Sequence, residues 1–443
     1  MKDCVAKPEP KLLDCQSGQV LVLGMLLAGL LALALSRYFV VSQTAAARSR
    51  QMHVLDAAAY SGALVQARAL NMLAYVNRSY VAHQVALAHL VTLGSWAKFG
   101  GMQASSHVRG NPPGYLISML FGPEHGAAYR ASLRAAGLQR HAESHGELAD
   151  AYAAHEKTIH QLLSAVQHGV ANGIAQARAE AINAVLARNY PAYPPSQFDL
   201  SFDDDNLPGY IQALQGNTGS PQRLRNLVMQ SVGLYRFLGR RDFTAVNPWQ
   251  VWPACPHLRH QLRRRGATLL TAQGLWQSID TQSFHALRFN RKVFCYYREY
   301  PMGWAWMAAG TSRFMAGSAV RPPADSIQAE DFWRFASQGI TAGLFRHQGN
   351  RRANFRAVRQ RDRWATQGLP DYYDVNSARA AGVLRFGLTF RHPGLDGLHV
   401  HARSAAETFF DLPEPRKDGR AELPNLFTPY WQARLAPVWS VRP

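Results

Sequence analysis

From Val20 to Leu35 the chain reads Val-Leu-Val-Leu-Gly-Met-Leu-Leu-Ala-Gly-Leu-Leu-Ala-Leu-Ala-Leu, with neither a charged nor a polar side chain. Tyr38, Phe39, Val40 and Val41 carry the run past Arg37, whose long stem lets a guanidinium reach headgroups from inside a span. Apolar character on every side over this length predicts one transmembrane helix, residues 18–41, where a soluble helix would show a single apolar stripe. A cleaved secretory signal would also begin with basic residues, here Lys2, Lys7 and Lys11, and Ala32-Leu33-Ala34 has the spacing of a cleavage site. The following stretch favours an uncleaved anchor, because no Pro lies between Pro10 and Pro112 and no Gly between Gly29 and Gly62. Gly24, Ala28, Ala32 and Ser36 recur every four residues, a row of small side chains that lets a second membrane helix approach closely.

Past the span the pattern becomes amphipathic. Leu55, Ala58, Gly62, Val65, Ala69, Met72 and Val76 fall three and four apart on one helical face. A second helical region runs from about Glu124 to Asn189, with Leu148, Tyr152, Ile159, Leu162, Val166, Val170, Ile174, Ile182 and Val185 as its apolar positions. Gly100, Gly101 and Gly110-Asn111-Pro112-Pro113-Gly114 separate the two, so residues 42–190 are expected as an antiparallel helical hairpin or stalk. Pro191, Pro194, Pro195, Pro208-Gly209 and Gly216-Asn217-Thr218-Gly219 mark residues 191–222 as a linker or loop. Strand-like runs such as Phe284–Tyr297 and Val383–Phe390 follow, and residues 223–443 are expected as a mixed α+β domain. The fold class is α+β: one N-terminal membrane helix, a helical hairpin, then the domain.

Composition sharpens this picture in one respect. Only 17% of the 443 residues are charged, yet 48 Lys and Arg against 29 Asp and Glu leave a net charge of +19. Residues 201–443 hold 32 of those cations and 18 of the anions, so most of the excess sits in the C-terminal half. Arg351, Arg352, Arg356, Arg359, Arg361 and Arg363, interleaved with Phe355 and Trp364, form the densest cluster, and Arg263-Arg264-Arg265 a second. Solvated faces and internal ion pairs account for most such clusters, and nucleic acid is not the expected partner.

Gly18-Gln19-Val20-Leu21-Val22-Leu23, followed after the span by Leu55-Asp56-Ala57-Ala58-Ala59-Tyr60-Ser61-Gly62-Ala63, resembles the N-terminal module of TadE/TadG-like proteins of the Tad (Flp) pilus-assembly system. Ala406-Glu407-Thr408-Phe409-Phe410 and Asn425-Leu426-Phe427-Thr428-Pro429-Tyr430-Trp431-Gln432-Ala433-Arg434-Leu435 are similar to the tail of the large members. The resemblance implies a single-pass protein of the bacterial inner membrane, with residues 1–17 cytoplasmic and the C-terminal domain in the periplasm. It further implies a non-enzymatic, minor pilin-like or scaffold role, with other pilus-assembly or pilin proteins as partners through the membrane helix and stalk. Position 23 is Leu where processed prepilins carry Glu, so cleavage after Gly18 is not expected, and no Asp-x-Ser-x-Ser metal motif occurs.

Export places Cys255 and Cys295 in an oxidising compartment, where pairing is expected, while Cys4 and Cys15 stay reduced. Two separate buried thiols are the alternative. His399-x-His401 near His392, and His257-x-x-His260 beside Cys255, lack the further ligands of a metal site. Asp203, Asp205 and Asn206 lack the glycine and closing Glu of a calcium loop. No Gly-x-Ser-x-Gly, P-loop or His-Glu-x-x-His motif occurs, so neither a cofactor nor an enzyme is expected. The rival readings are a membrane-anchored periplasmic enzyme and an exported protein that binds DNA or an anionic surface.

Overall fold

The computed structural model describes residues 17–191, 199–216, 221–292, 294–310, 349–375, 382–393, 399–414, 419 and 422–438. Residues 1–16, with Cys4 and Cys15, lie outside the described residues. A single helix, α1 (Ser17–Val108), holds the candidate membrane span and everything up to the first proline-rich turn. Its 92 residues reach about 138 Å at 1.5 Å each. It runs straight through Gly100 and Gly101, where a stop was expected. The helix ends instead in the turn before Pro112 and Pro113.

The return limb is assembled from pieces. After α2 (Gly114–Phe121), α3 (Pro123–Ala131) and two short 3₁₀ turns come α4 (Glu147–Lys157), one π-helical turn (Thr158–Leu163) and α5 (Ser164–Asn189). α5 runs antiparallel to α1: Arg50 reaches the Asn189 carbonyl, Gly62 faces Ile182, and Gln167 bonds Asn77. At Gly62 an added Cβ would stand 2.9 Å from Ile182 and 3.1 Å from Phe386, so the absent side chain lets α1 approach both α5 and a strand.

Where a linker or loop was expected, the described residues of 191–222 include regular elements. They hold β1 (Asp199–Asp203) and α6 (Leu207–Gly216), and α7 (Pro221–Gly233) begins at their end. The proline and glycine signals are real, but they punctuate short elements that pair with distant parts of the chain. β2 (Phe243–Val246), β3 (Gln261–Leu270), β4 (Trp276–Asn290) and β5 (Phe294–Ala309) form a meander. α8 (Arg351–Arg359) and β6 (Asp362–Trp364) follow, then β7 (Val383–Pro393), β8 (His399–Phe410) and β9 (Trp431–Ala436). The run Phe284–Tyr297 is thus a hairpin and not one strand, with Phe289 opposite Cys295.

Two sheets result. One has the order β1-β7-β8-β9, antiparallel throughout; the other is β2-β3-β4-β5-β6, with only β5 and β6 parallel. Both lie on α1. Leu55, Ala58 and Ala59 pack with Leu388, Phe390 and Ala402 of the first sheet. Further along, Ala88 and Val91 share a cluster with Trp276, Met307 and Trp364 of the second. Gly94 makes room for this: a Cβ there would meet Trp364 at 2.9 Å and Met307 at 3.2 Å. The described parts of residues 42–190 and 223–443 therefore pack directly on one another.

Because α1 is covered by α5 on one side and by sheets on another, its buried surface is wider than one stripe. Leu70, Leu73 and Ala74 are buried while Met72, within the expected stripe, is 45% exposed. Polar side chains within this surface form rungs to the strands. Gln51 donates to the Phe390 carbonyl, Asn71 exchanges two bonds with the Trp431 backbone, and Asn77 donates to the carbonyls of Tyr373 and Leu426 at 2.8 and 2.7 Å. Gln84 accepts from Trp276, Thr92 pairs with Thr268, Ser95 donates to Asp280, and Gln103 to Gln282. Each rung satisfies groups that would be costly to bury alone, which fixes the register of both sheets on the helix.

Candidate interaction sites

The first site is the apolar start of α1. Between Val20 and Val41 no large apolar side chain is buried, with Leu26 61% exposed and Tyr38 74%. This is one helix long and apolar enough to cross a membrane. Gly24, Ala28, Ala32 and Ser36 line up along it, and open space surrounds Gly24. α1 continues past the apolar segment without a break, and there Thr44 donates its hydroxyl to the Val40 carbonyl at 2.7 Å.

A second site appears where the two ends of the chain meet. Ala58, Ala59 and Ala63 of α1 pack against Ala402 and Ala406 of β8. Asp56 accepts from Ser404 at 2.6 Å, and Thr408 donates to the Ala63 carbonyl at 2.8 Å. Asn77 and Asn71 then hold Leu426 and Trp431. The alanine-rich stretch after the span and the C-terminal strings around residues 406 and 425–435 are one structural unit, although some 350 positions separate them.

Cys255 and Cys295 are joined in a disulfide, with Cα atoms 6.1 Å apart. The bridge is buried with Leu287 and ties the loop after β2 to the start of β5. Closing a loop of 40 residues stabilises the fold by roughly 4 kcal/mol in the chain-entropy description.

The arginines divide into two populations. Arg263, Arg264 and Arg265 lie in β3, the first two buried and the third half-buried. Arg264 stands 3.6 Å over the Phe99 ring and donates to Asp280 at 2.8 Å, and burial lowers its pKa to about 10 against the opposing pull of that carboxylate. Asp280 is fully buried and also receives Arg241 and Ser95, so two cations and a hydroxyl hold one carboxylate. Arg265 donates to the Phe243 carbonyl and to Thr244.

The cluster from Arg351 to Arg363 lies instead over the outer face of the second sheet. Arg356 sits 4.6 Å over Trp304, Arg361 4.8 Å over Trp306, and Arg359 4.6 Å over Phe355. Arg352 is half-buried at the start of α8, beside Arg351, and Arg363 follows in β6. Glu299 acts on Arg352 and Arg356, and it is committed to the start of α8. It accepts from the backbone N–H of Arg352 and Ala353 at 2.9 and 3.2 Å, and from Ser283 at 2.7 Å. Asp362 pairs with Lys98.

Four of the other candidate ligands, Asp203, Asp205, Asn206 and His260, are engaged within the fold, and the side chains of His392 and His399 lie outside what is described. Asp205 is held by Arg178 and by the Leu207 N–H, Asp203 accepts from Thr389, and Asn206 exchanges bonds with the backbone of Val383 and Arg385. His260 Nδ1 accepts the Leu287 N–H at 2.8 Å, and burial, then Arg288, lowers its pKa. His401 is exposed opposite Arg391. Among the described residues, no group of three or more His, Cys, Asp or Glu is placed to hold a metal. Sequence reasoning missed two buried centres. His285 bonds Asn350 at 3.1 Å and burial lowers its pKa to about 4. Glu156 receives Thr366 and the Gln367 N–H. Neither has a local pattern, since the partners lie 65 and 210 positions away.

No protein-family model matches the chain, and neither a curated protein nor a solved structure is detectably similar to it.

Proposed function

We propose that this chain is a non-enzymatic, membrane-anchored component of a Tad (Flp) pilus-assembly apparatus, minor pilin-like or scaffold-like, that works by helix packing and protein docking. The supporting observation is the union of its two ends. The string Leu55–Ala63 packs on the string Ala406–Phe410 through Ala58, Ala59 and the Ala63 carbonyl, and Asn71 and Asn77, further along the same helix, hold Trp431 and Leu426 of the last string. In this reading residues 18–41 cross the inner membrane once, the preceding residues are cytoplasmic, and the body stands in the periplasm. A buried disulfide suits that oxidising side. The continuous helix would transmit the position of the span to both sheets, and Gly24, Ala28, Ala32 and Ser36 would seat a second membrane helix.

A photoreactive residue placed at position 28 or 32 in the native cell tests this. Adducts with pilin or pilus-assembly membrane proteins are the expected outcome. Adducts with lipid alone, or with membrane proteins unconnected to a pilus, would remove the support.

A further inference from the structure

Among the described residues, the outer face of the second sheet carries positive charge that Glu299 offsets only in part. On β5, side chains alternate between faces, so Gly303 and Met307 meet α1 while Trp304 and Trp306 look to the other side, under α8. Arg352, Arg356 and Arg359 fall four and three apart on α8, which places them along one side of that helix. Arg361 and Arg363 extend the array, and two more cations join from other elements: Arg298 acts on Arg352, and Arg109, at the end of α1, acts on Arg356. Burial, then the neighbouring cations, lowers the pKa of Arg352, Arg356 and Arg361, with Glu299 opposing at the first two. Arg356, Arg359, Arg361 and Arg363 form no ion pair among the described residues.

The guanidiniums are also held in place. Trp304 and Trp306 are only 5% and 3% exposed beneath them, so each cation is stacked on a fixed ring and has already lost much of its rotamer freedom. A guanidinium lying on a ring keeps its N–H edges for an anion alongside, the geometry for a carboxylate. Two other anionic partners fit less well. Gly303 packs on Phe99 of α1, 58 residues beyond Val41, which puts the face about 85 Å from the end of the apolar segment and beyond reach of the headgroups around it. Nucleic-acid bases find no open aromatic platform here, because the cations cover the rings.

We propose that this arginine face docks an acidic polypeptide segment of a partner protein, whose Asp and Glu carboxylates engage Arg352, Arg356, Arg361 and Arg363. This rests on the docking reading only in taking the partner to be a protein; its test uses purified protein, so either can fail alone.

The test titrates full-length protein in detergent micelles against a fluorescein-labelled peptide of alternating Glu and Ser, with a duplex DNA of mixed sequence and equal charge as the comparison. Anisotropy gives both affinities at several salt concentrations. The peptide is expected to bind more tightly than the duplex, and Arg356→Glu with Arg361→Glu to weaken it by about tenfold or more. Arg188→Glu with Arg236→Glu makes the same change in net charge at exposed sites elsewhere, and is expected to leave binding unaltered. Should the first pair misfold, Arg356→Gln with Arg361→Gln is expected to give a smaller loss in the same direction. Absence of peptide binding, tighter binding of the duplex, or equal losses in the two charge-reversal pairs would each overturn the proposal.

Discussion

Residues 20–41 and 51–106 belong to the same helix, yet they answer to different surroundings. The first stretch is apolar but for Ser36 and Arg37 and buries no side chain, whereas the second buries Gln51, Gln66, Asn77, Gln84, Thr92, Ser95 and Gln103 among its apolar contacts. A helix that faces only hydrocarbon needs no polar side chain, since its backbone is satisfied internally. A helix that must hold two sheets in register needs several, because apolar packing alone tolerates sliding. Polar residues thus separate the packed part of the helix from its apolar start more sharply than hydrophobicity does.

The contrast is broken most severely at Asp280. Its replacement by Leu leaves Arg241 and Arg264 buried without a carboxylate, and a loss of about 3–5 kcal/mol is expected in denaturant unfolding followed by tryptophan fluorescence. Replacing Cys255 and Cys295 together by Ser should cost roughly 2–4 kcal/mol in the same assay. Asn77→Leu orphans the carbonyls of Tyr373 and Leu426, for an expected loss of about 1–3 kcal/mol.

Acid acts through His285. The unfolded chain takes up this proton near pH 6.5 and the folded chain only near pH 4, because burial disfavours the imidazolium. Its contribution is therefore complete above pH 6.5 and declines as pH falls towards 4, below which it changes no further. Unfolding measured across that window should show a shallower pH slope in His285→Leu than in the parent. The smallest effect on the body belongs to the anchor: Ala28→Leu with Ala32→Leu should leave the unfolding midpoint unchanged while reducing crosslinks to other membrane helices.

What the sequence disclosed follows the range of the forces involved. The apolar run at Val20–Leu35, the antiparallel return of α5 and the strand beginning at Val383 all have local periodicity, and each was legible. β1 and α6 were hidden in a stretch rich in Pro and Gly, because pairing of Asp199–Asp203 with β7 lies nearly 190 positions away. Asp280 was invisible for the same reason: its partners Ser95, Arg241 and Arg264 come from three elements. The arginine run at residues 351–363 was plain in the sequence, but Trp304 and Trp306 beneath it were not.

The central claim is that one helix is both the membrane anchor and the spine of an exported, disulfide-tied body. Thiol mapping on alkaline-washed membranes, with cells alkylated before lysis, tests it most directly. The full-length chain should stay with the membranes, with Cys255 and Cys295 recovered as a linked peptide pair and Cys4 and Cys15 alkylated. Release of the chain by the alkaline wash, or alkylation of both Cys255 and Cys295, would contradict it.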